Sequence, residues 1–153
     1  MTIVEAGQLV PEFSLQRHEG KRFDRDDVLG TTTVLVFYPF AFSPVCSDQL
    51  AVYDDLRDDF SACGATLYGV SCDATWSQQA FKQQLGIGIE QLSDFEPKGR
   101  TCAAFGVLHP GGFPQRAIVV TGPQGRVQWS YRAPTPGDLP GANLIFDALA
   151  TKA

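Results

Sequence analysis

The sequence predicts an α/β fold, a central mixed β-sheet with helices on both faces. Two patterns carry that expectation: β-branched and aromatic runs alternate with stretches whose apolar residues recur every three or four positions, and the chain then closes on a hairpin signal and one more helical segment. Size agrees with it. At 153 residues and with no linker, repeat or low-complexity break, residues 1–153 read as a single domain. Hydrophobic residues at 44% against charged residues at 19% place the chain among folded proteins and not among disordered ones.

Each element has its own warrant. Phe13 and Leu15 alternate with polar neighbours, and a turn at Glu19-Gly20-Lys21 leads to Phe23, so a small strand or hairpin is expected first. Thr33 to Tyr38 is a continuous β-branched and aromatic run, the pattern of a central strand covered on both faces. Leu50, Tyr53, Leu56 and Phe60 then form one helical stripe that Gly64 ends. Ala65 to Cys72 reads as a strand, Trp76 to Leu85 as a helix stopped by Gly86, and Ile87 to Leu92 as a short strand. Trp76 and Phe81 are expected in the core or at a subunit interface. Pro97 to Phe105 is a third helical piece. Ala117 to Thr121 and Arg126 to Tyr131 flank the turn Gly122-Pro123-Gln124-Gly125, and Asn143 to Leu149 supplies the last helix. This order of elements is that of thioredoxin-type folds, and a site is to be sought where the strand ending at Tyr38 meets the next helix.

Charge and hydropathy narrow the partners. With 12 basic against 17 acidic residues the net charge is −5, so no nucleic acid and no anionic membrane is expected as a partner. The longest apolar run, Val34 to Phe42, is interrupted by Pro39 and falls far short of the roughly 20 residues a spanning helix needs. The N-terminus carries no basic segment followed by an apolar one, and a cytoplasmic location is the expectation. Cys46, Cys63, Cys72 and Cys102 form no C-x-x-C pair, and only His18 and His109 could assist them. Neither a disulfide framework nor a metal site is expected from that spacing. Three of the four cysteines are expected to be inert packing residues.

The junction after Tyr38 carries the chemistry. It reads Pro39-Phe40-Ala41-Phe42-Ser43-Pro44-Val45-Cys46, in which Ser43 is a good N-cap and Pro44 suits the first helical position, so Cys46 falls in the first turn. Free N–H groups and the macrodipole favour a negative sulfur there by about 0.3–1 kcal/mol, or about 2 when partly buried. That is insufficient alone. A free thiol with a pKa of about 8.5 needs about two units of depression to ionise at neutral pH, each worth about 1.36 kcal/mol, so a fixed cation is required as well. Arg116 immediately precedes the strand Ala117 to Thr121, and antiparallel pairing of that strand with Thr33 to Tyr38 would bring Arg116 to Cys46.

The spacing P-x-x-x-S-x-x-C with a distant arginine resembles the active motif of the peroxiredoxins, and the chain is most similar to their AhpE-like, one-cysteine branch. The likeness extends through Gly7, Pro11 and Phe13, G-V-S-x-D at Gly69 to Asp73, L-S-D-F-x-P-x-G at Leu92 to Gly99, and F-G-V at Phe105 to Val107. The resemblance implies that Cys46 is the peroxidatic cysteine, Ser43 the hydroxyl contacting sulfur and peroxide, Pro39 a shield against water and Arg116 the activating cation. It implies a thiolate attack on a peroxide that gives a sulfenic acid, with no metal or organic cofactor, and a homodimer. Two positions depart from the pattern: Gln49 stands where many members have a glutamate that orients the arginine, and Cys72 stands where G-V-S-x-D is usually aliphatic. The apolar surround of the motif is expected from Phe37, Phe40, Phe42 and Phe113, which suits alkyl hydroperoxides as well as hydrogen peroxide.

For the return half-cycle, the two common resolving positions hold Ala51 and Lys82, so a small thiol or a thioredoxin- or glutaredoxin-like protein is the expected reductant. An internal disulfide through Cys63, Cys72 or Cys102 is the other route. Rival chemistries fit less well. A C-x5-R phosphate loop would need arginine where Val52 stands, a G-x-S-x-G elbow fails at Asp73, and a Cys-His hydrolase would have to recruit His109 from a loop. The alternative from another class is a non-catalytic thioredoxin-like binding or redox-sensing module, which would not consume peroxide.

Overall fold

The computed structural model describes residues 2–150. In chain order, β1 (Ser14–Gln16) and β2 (Arg22–Asp24) form the N-terminal hairpin, and β3 (Thr32–Phe37) leads to α1 (Pro44–Asp55) and α2 (Arg57–Ala62). β4 (Ala65–Ser71) is followed by α3 (Thr75–Leu85), and β5 (Glu90–Ser93) by α4 (Arg100–Ala104). The hairpin β6 (Ala117–Thr121) and β7 (Val127–Arg132) precedes α5 (Ala142–Ala150). The strands make one sheet in the order β2-β1-β5-β4-β3-β6-β7. This is the expected thioredoxin-like mixed sheet.

β3 lies near the middle, and every one of its residues is buried, which is why its sequence is apolar without alternation. It runs parallel to β4, with Phe37 beside Val70, and antiparallel to β6, with Phe37 beside Ala117. The carboxyl end of β3 therefore meets the amino end of β6. Side chains of successive β3 residues point to opposite faces. Val34, Val36 and Tyr38 pack with Cys46, Leu50, Tyr53, Phe60, Phe81 and Ile145. Leu35 and Phe37 pack on the other side with Phe13, Phe23, Val70, Cys72, Cys102 and Phe105. Each fully buried side chain of this kind is worth about 1.5–3 kcal/mol, so both faces contribute to holding the sheet.

Several boundaries differ from the sequence expectation. The single helix expected up to Gly64 is two, because Leu56 leaves helical geometry at φ −101°, ψ 9° and its N–H bonds back to Tyr53 O, a tightened turn. The strand expected from Ile87 pairs with β4 only from Glu90, since Gly88 N–H is taken by Asp54 Oδ1 at 2.9 Å. The helix expected from Pro97 starts at Arg100, after Gly99 at φ 76° donates its N–H to Asp94 O. Phe81 is core as expected; Trp76 is 81% exposed at the start of α3, its ring edge-on to His18, so of the two places expected for it the core is excluded. Phe37 does not belong to the motif's apolar surround: it lies on the opposite face of the sheet, 5.6 Å from the Phe105 ring. No helix among the described residues is long and apolar enough to cross a membrane.

Candidate active site

The crossover from β3 to α1 is anchored before the helix begins. Tyr38 N–H bonds to Val70 O, Ala41 N–H bonds to Asp73 Oδ2 at 2.8 Å, and Pro39 between them is buried. Phe42 takes a left-handed φ of 71° and rests its ring 5.3 Å from that of Phe81. That turn redirects the chain, so that Ser43, extended at φ −69°, ψ 145°, caps α1 and Pro44 occupies the first helical position. Ser43 Oγ accepts the N–H of Cys46 at 3.4 Å, leaving the hydroxyl proton available for another acceptor. Cys46 sits in the first turn, where helical N–H groups lack intrahelical partners. It is completely buried.

Arg116 enters from the other strand. β6 begins one residue later, and its pairing with β3 sets Arg116 beside the end of β3. The side chain is 2% exposed and makes three hydrogen bonds: Nη2 donates to Cys46 Sγ at 3.2 Å, Nε donates to Pro136 O at 2.8 Å, and Nη1 donates to Gln49 Oε1. Among the described residues no carboxylate lies within ion-pair distance of this guanidinium. A buried cation without a counter-charge is strongly unfavourable. Among the described residues that bond to Arg116, the sulfur of Cys46 is the one that can carry negative charge.

Gln49 and Tyr53 hold that arrangement. They follow Cys46 by three and seven positions along α1, and so share its face. Gln49 Nε2 donates to Tyr53 Oη at 3.3 Å, and Tyr53 Oη donates to Pro140 O at 2.5 Å. Burial pushes the Tyr53 hydroxyl up to about 12. The amide of Gln49 is thereby turned with its oxygen toward Arg116. On the β3 side, Tyr38 Oη donates to Gln91 Oε1 at 2.6 Å, and burial raises that hydroxyl as well.

The structure thus brings Cys46, Ser43 and Arg116 together, as the capping pattern and the antiparallel strand pairing predict, and buries Pro39 at the end of the strand that leads to them. Sequence reading did not anticipate Tyr53, Asp73 or the carbonyls of Pro136 and Pro140. The i, i+3, i+7 spacing of Cys46, Gln49 and Tyr53 was the available signal for Tyr53. The Phe40 and Phe113 rings meet at 4.8 Å, tilted by 42°, and His109 stacks on Phe113 with Nδ1 accepting Gly111 N–H. Among the described residues, one cluster has the donor types for a metal: Cys72, Asp94 and Cys102, with ligand atoms within 4.8 Å of one another. It lies on the sheet face opposite Cys46, and no sequence spacing announced it.

Comparison with known proteins agrees with this architecture. A family model described as the AhpC/TSA family matches residues 6–130. A putative peroxiredoxin bcp of Coxiella burnetii is 31% identical over 105 residues, covering 69% of this chain and 68% of that protein. A chloroplastic peroxiredoxin Q of Suaeda salsa is 33% identical over 91 residues, 60% of this chain and 42% of that protein. Among solved structures, Enterococcus faecalis AhpC superposes with a TM-score of 0.87 at 24% identity over 97% of this chain and 92% of the other. Peroxidoxin BcpB of Mycobacterium tuberculosis gives 0.84 at 24% identity over 98% and 99%. The chain belongs to the AhpC/TSA family of peroxiredoxins, which are thiol peroxidases. These curated relatives carry bcp and Q names, so membership of the AhpE-like branch is not what they show.

Proposed function

We propose that the chain, acting as one domain, reduces hydrogen peroxide and organic hydroperoxides through Cys46. The observation that carries this reading is the buried Arg116, whose other two acceptors are a backbone carbonyl and an amide oxygen. The Cys46 thiolate attacks the terminal oxygen of ROOH, the O–O bond breaks, and the departing alkoxide takes a proton to leave as ROH. Sulfur is oxidised by two electrons to the sulfenic acid. Arg116 and the Ser43 hydroxyl stabilise the oxygen on which charge builds as the bond stretches. Pro39 closes the site against water. With Cys46 fully buried, peroxide enters when the partly exposed segment from Ala41 to Val45 gives way. Phe40, Phe42 and Phe113 offer the apolar rim that would accept an alkyl group.

The recycling reading is one-cysteine. Ala51 lies in α1 and Lys82 in α3, at the two positions a resolving cysteine would take, and Cys72 and Cys102 lie across the sheet from Cys46. A small thiol or a redoxin then attacks the sulfenic sulfur, releasing water, and a second thiol equivalent frees Cys46. A symmetric dimer through the edge near α1 belongs to the same reading and is checked by sedimentation velocity. Stopped-flow tryptophan fluorescence with hydrogen peroxide tests the chemistry: a fast second-order phase lost in Cys46→Ser supports it, together with dimedone labelling of Cys46 after one equivalent of peroxide. A Cys46 that is inert to peroxide would leave the chain a non-catalytic thioredoxin-like module.

A further inference from the structure

Two thiols that the peroxidase reading leaves unused meet on the opposite face of the sheet. Cys72 directly follows β4 and Cys102 sits in α4, and their sulfurs and a carboxylate oxygen of Asp94 lie within 4.8 Å of one another. The three groups differ in access. Cys102 is wholly buried and Asp94 is 3% exposed, whereas Cys72, at 7%, lines a cavity of about 260 Å³ together with Pro39, Phe40, Ser77 and Lys98. Asp94 is held in place, since Oδ1 accepts Thr101 N–H at 3.0 Å and Oδ2 accepts Cys102 N–H at 2.8 Å.

We propose that Cys72, Cys102 and Asp94 form a second redox centre, separate from Cys46, that exchanges with low-molecular-weight disulfides. An outer thiol facing a cavity, an inner thiol behind it and a fixed carboxylate beside the inner one are the parts such exchange requires. In the first step Cys72 sulfur, its proton lost to solvent, attacks one sulfur of RSSR. The S–S bond breaks, RS⁻ leaves and takes a proton, and Cys72 carries the SR group. In the second step Cys102 gives its proton to the Asp94 carboxylate and attacks Cys72 sulfur, displacing the second RS⁻, which leaves as RSH with that proton. Two protein thiols are oxidised, one RSSR is reduced to two RSH, and excess RSH runs the sequence backwards. The sulfurs close from at most 4.8 Å to a bond of about 2.05 Å, a shift that a strand end and a short helix can share.

Burial explains why the carboxylate is needed. The neighbouring Cys72 thiol and desolvation both push the Cys102 thiol up, so it does not ionise unaided. Desolvation raises the Asp94 carboxyl too, despite the two N–H bonds it accepts, which makes its anion a better proton acceptor. None of this depends on peroxide chemistry at Cys46.

The test uses the full chain carrying Cys46→Ser and Cys63→Ser, so that only the paired thiols remain. It is equilibrated in glutathione buffers of graded oxidised-to-reduced ratio, alkylated with N-ethylmaleimide in acid and read by mass spectrometry. Both thiols are expected to be lost together, with a cross-linked peptide joining Cys72 to Cys102. Adding Cys102→Ala should leave one glutathione stably attached at Cys72, and adding Cys72→Val should leave Cys102 unmodified. Asp94→Asn, which keeps one acceptor for the α4 N–H groups, should prolong the Cys72 adduct by about tenfold or more. Two thiols that stay free in fully oxidised glutathione in the folded parent would overturn the proposal, as would modification of Cys102 before Cys72. So would a stoichiometric cobalt(II) complex with a sulfur-to-metal band lost in both Cys72→Val and Asp94→Asn, which assigns the cluster to a metal. Peroxide consumption by the unsubstituted chain is measured separately, and neither result decides the other.

Discussion

Replacing Arg116 by lysine keeps a positive charge near Cys46 and removes the planar fork that carries it. In the structure that fork serves three acceptors at once, Cys46 Sγ at 3.2 Å, Pro136 O at 2.8 Å and Gln49 Oε1. A single ammonium cannot reach all three. Pro136 is exposed and its carbonyl can turn to water, but Gln49 is fully buried and its oxygen would be orphaned at a cost of about 1–3 kcal/mol. The chemical step suffers separately, because a donor aimed at the departing oxygen is worth about 2.7–4 kcal/mol, or roughly 10²–10³ in rate. Arg116→Lys is therefore expected to fold with reduced stability in urea and to react with hydrogen peroxide about 10²-fold more slowly in stopped-flow fluorescence. Arg116→Ala should be at least as slow. A lysine variant that reacts at the wild-type rate would refute the argument, since charge alone would then suffice and the fork would have no part in the reaction.

Neighbouring contacts lead to other expected outcomes. Ser43→Val should slow peroxide consumption by about 10²–10³ while Ser43→Thr changes it little, read in the same assay. Tyr53 holds its proton up to about 12 in the folded chain, against about 10 when unfolded, so stability is full below the lower value and falls by roughly 2–3 kcal/mol as pH rises through the higher one. Urea unfolding across that range should show the fall, and Tyr53→Phe should make it shallower. Gly69→Ala would set a Cβ 2.5 Å from Gln91 Oε1, the atom that accepts Tyr38 Oη, and should destabilise the chain by about 1–3 kcal/mol in thermal or urea unfolding.

Much of this arrangement was legible because local rules and topology agree. A serine followed by proline after an apolar strand marks a helix start, and an antiparallel partner strand brings Arg116 back to that start. What escaped has physical reasons. The acceptors at Pro136 and Pro140 are backbone carbonyls, which carry no side-chain signature. The cluster joins Cys72, at a strand end, to Asp94 and Cys102, 22 and 30 positions further on in a loop and a helix. Phe37 was misplaced because a strand buried on both faces hides its parity: alternation assigns Val36 and Tyr38 to the Cys46 side and Phe37 to the other. Helical spacing alone does not choose between the core and a subunit interface for Trp76, which stands exposed at the first turn of α3.

The neutral surroundings of Arg116 make the oxidised protein a different electrostatic object from the resting one. On the proposed reading, oxidation converts the one anion that the described residues set beside this cation into an uncharged sulfenic acid, and the guanidinium remains sealed among a carbonyl, an amide and the new S–OH group. Losing one member of a buried charge pair weakens a folded state by about 3–5 kcal/mol. The spent protein should therefore be looser around α1 than before it met peroxide. A sulfur too enclosed for any reductant to touch would become reachable only once it needs reducing.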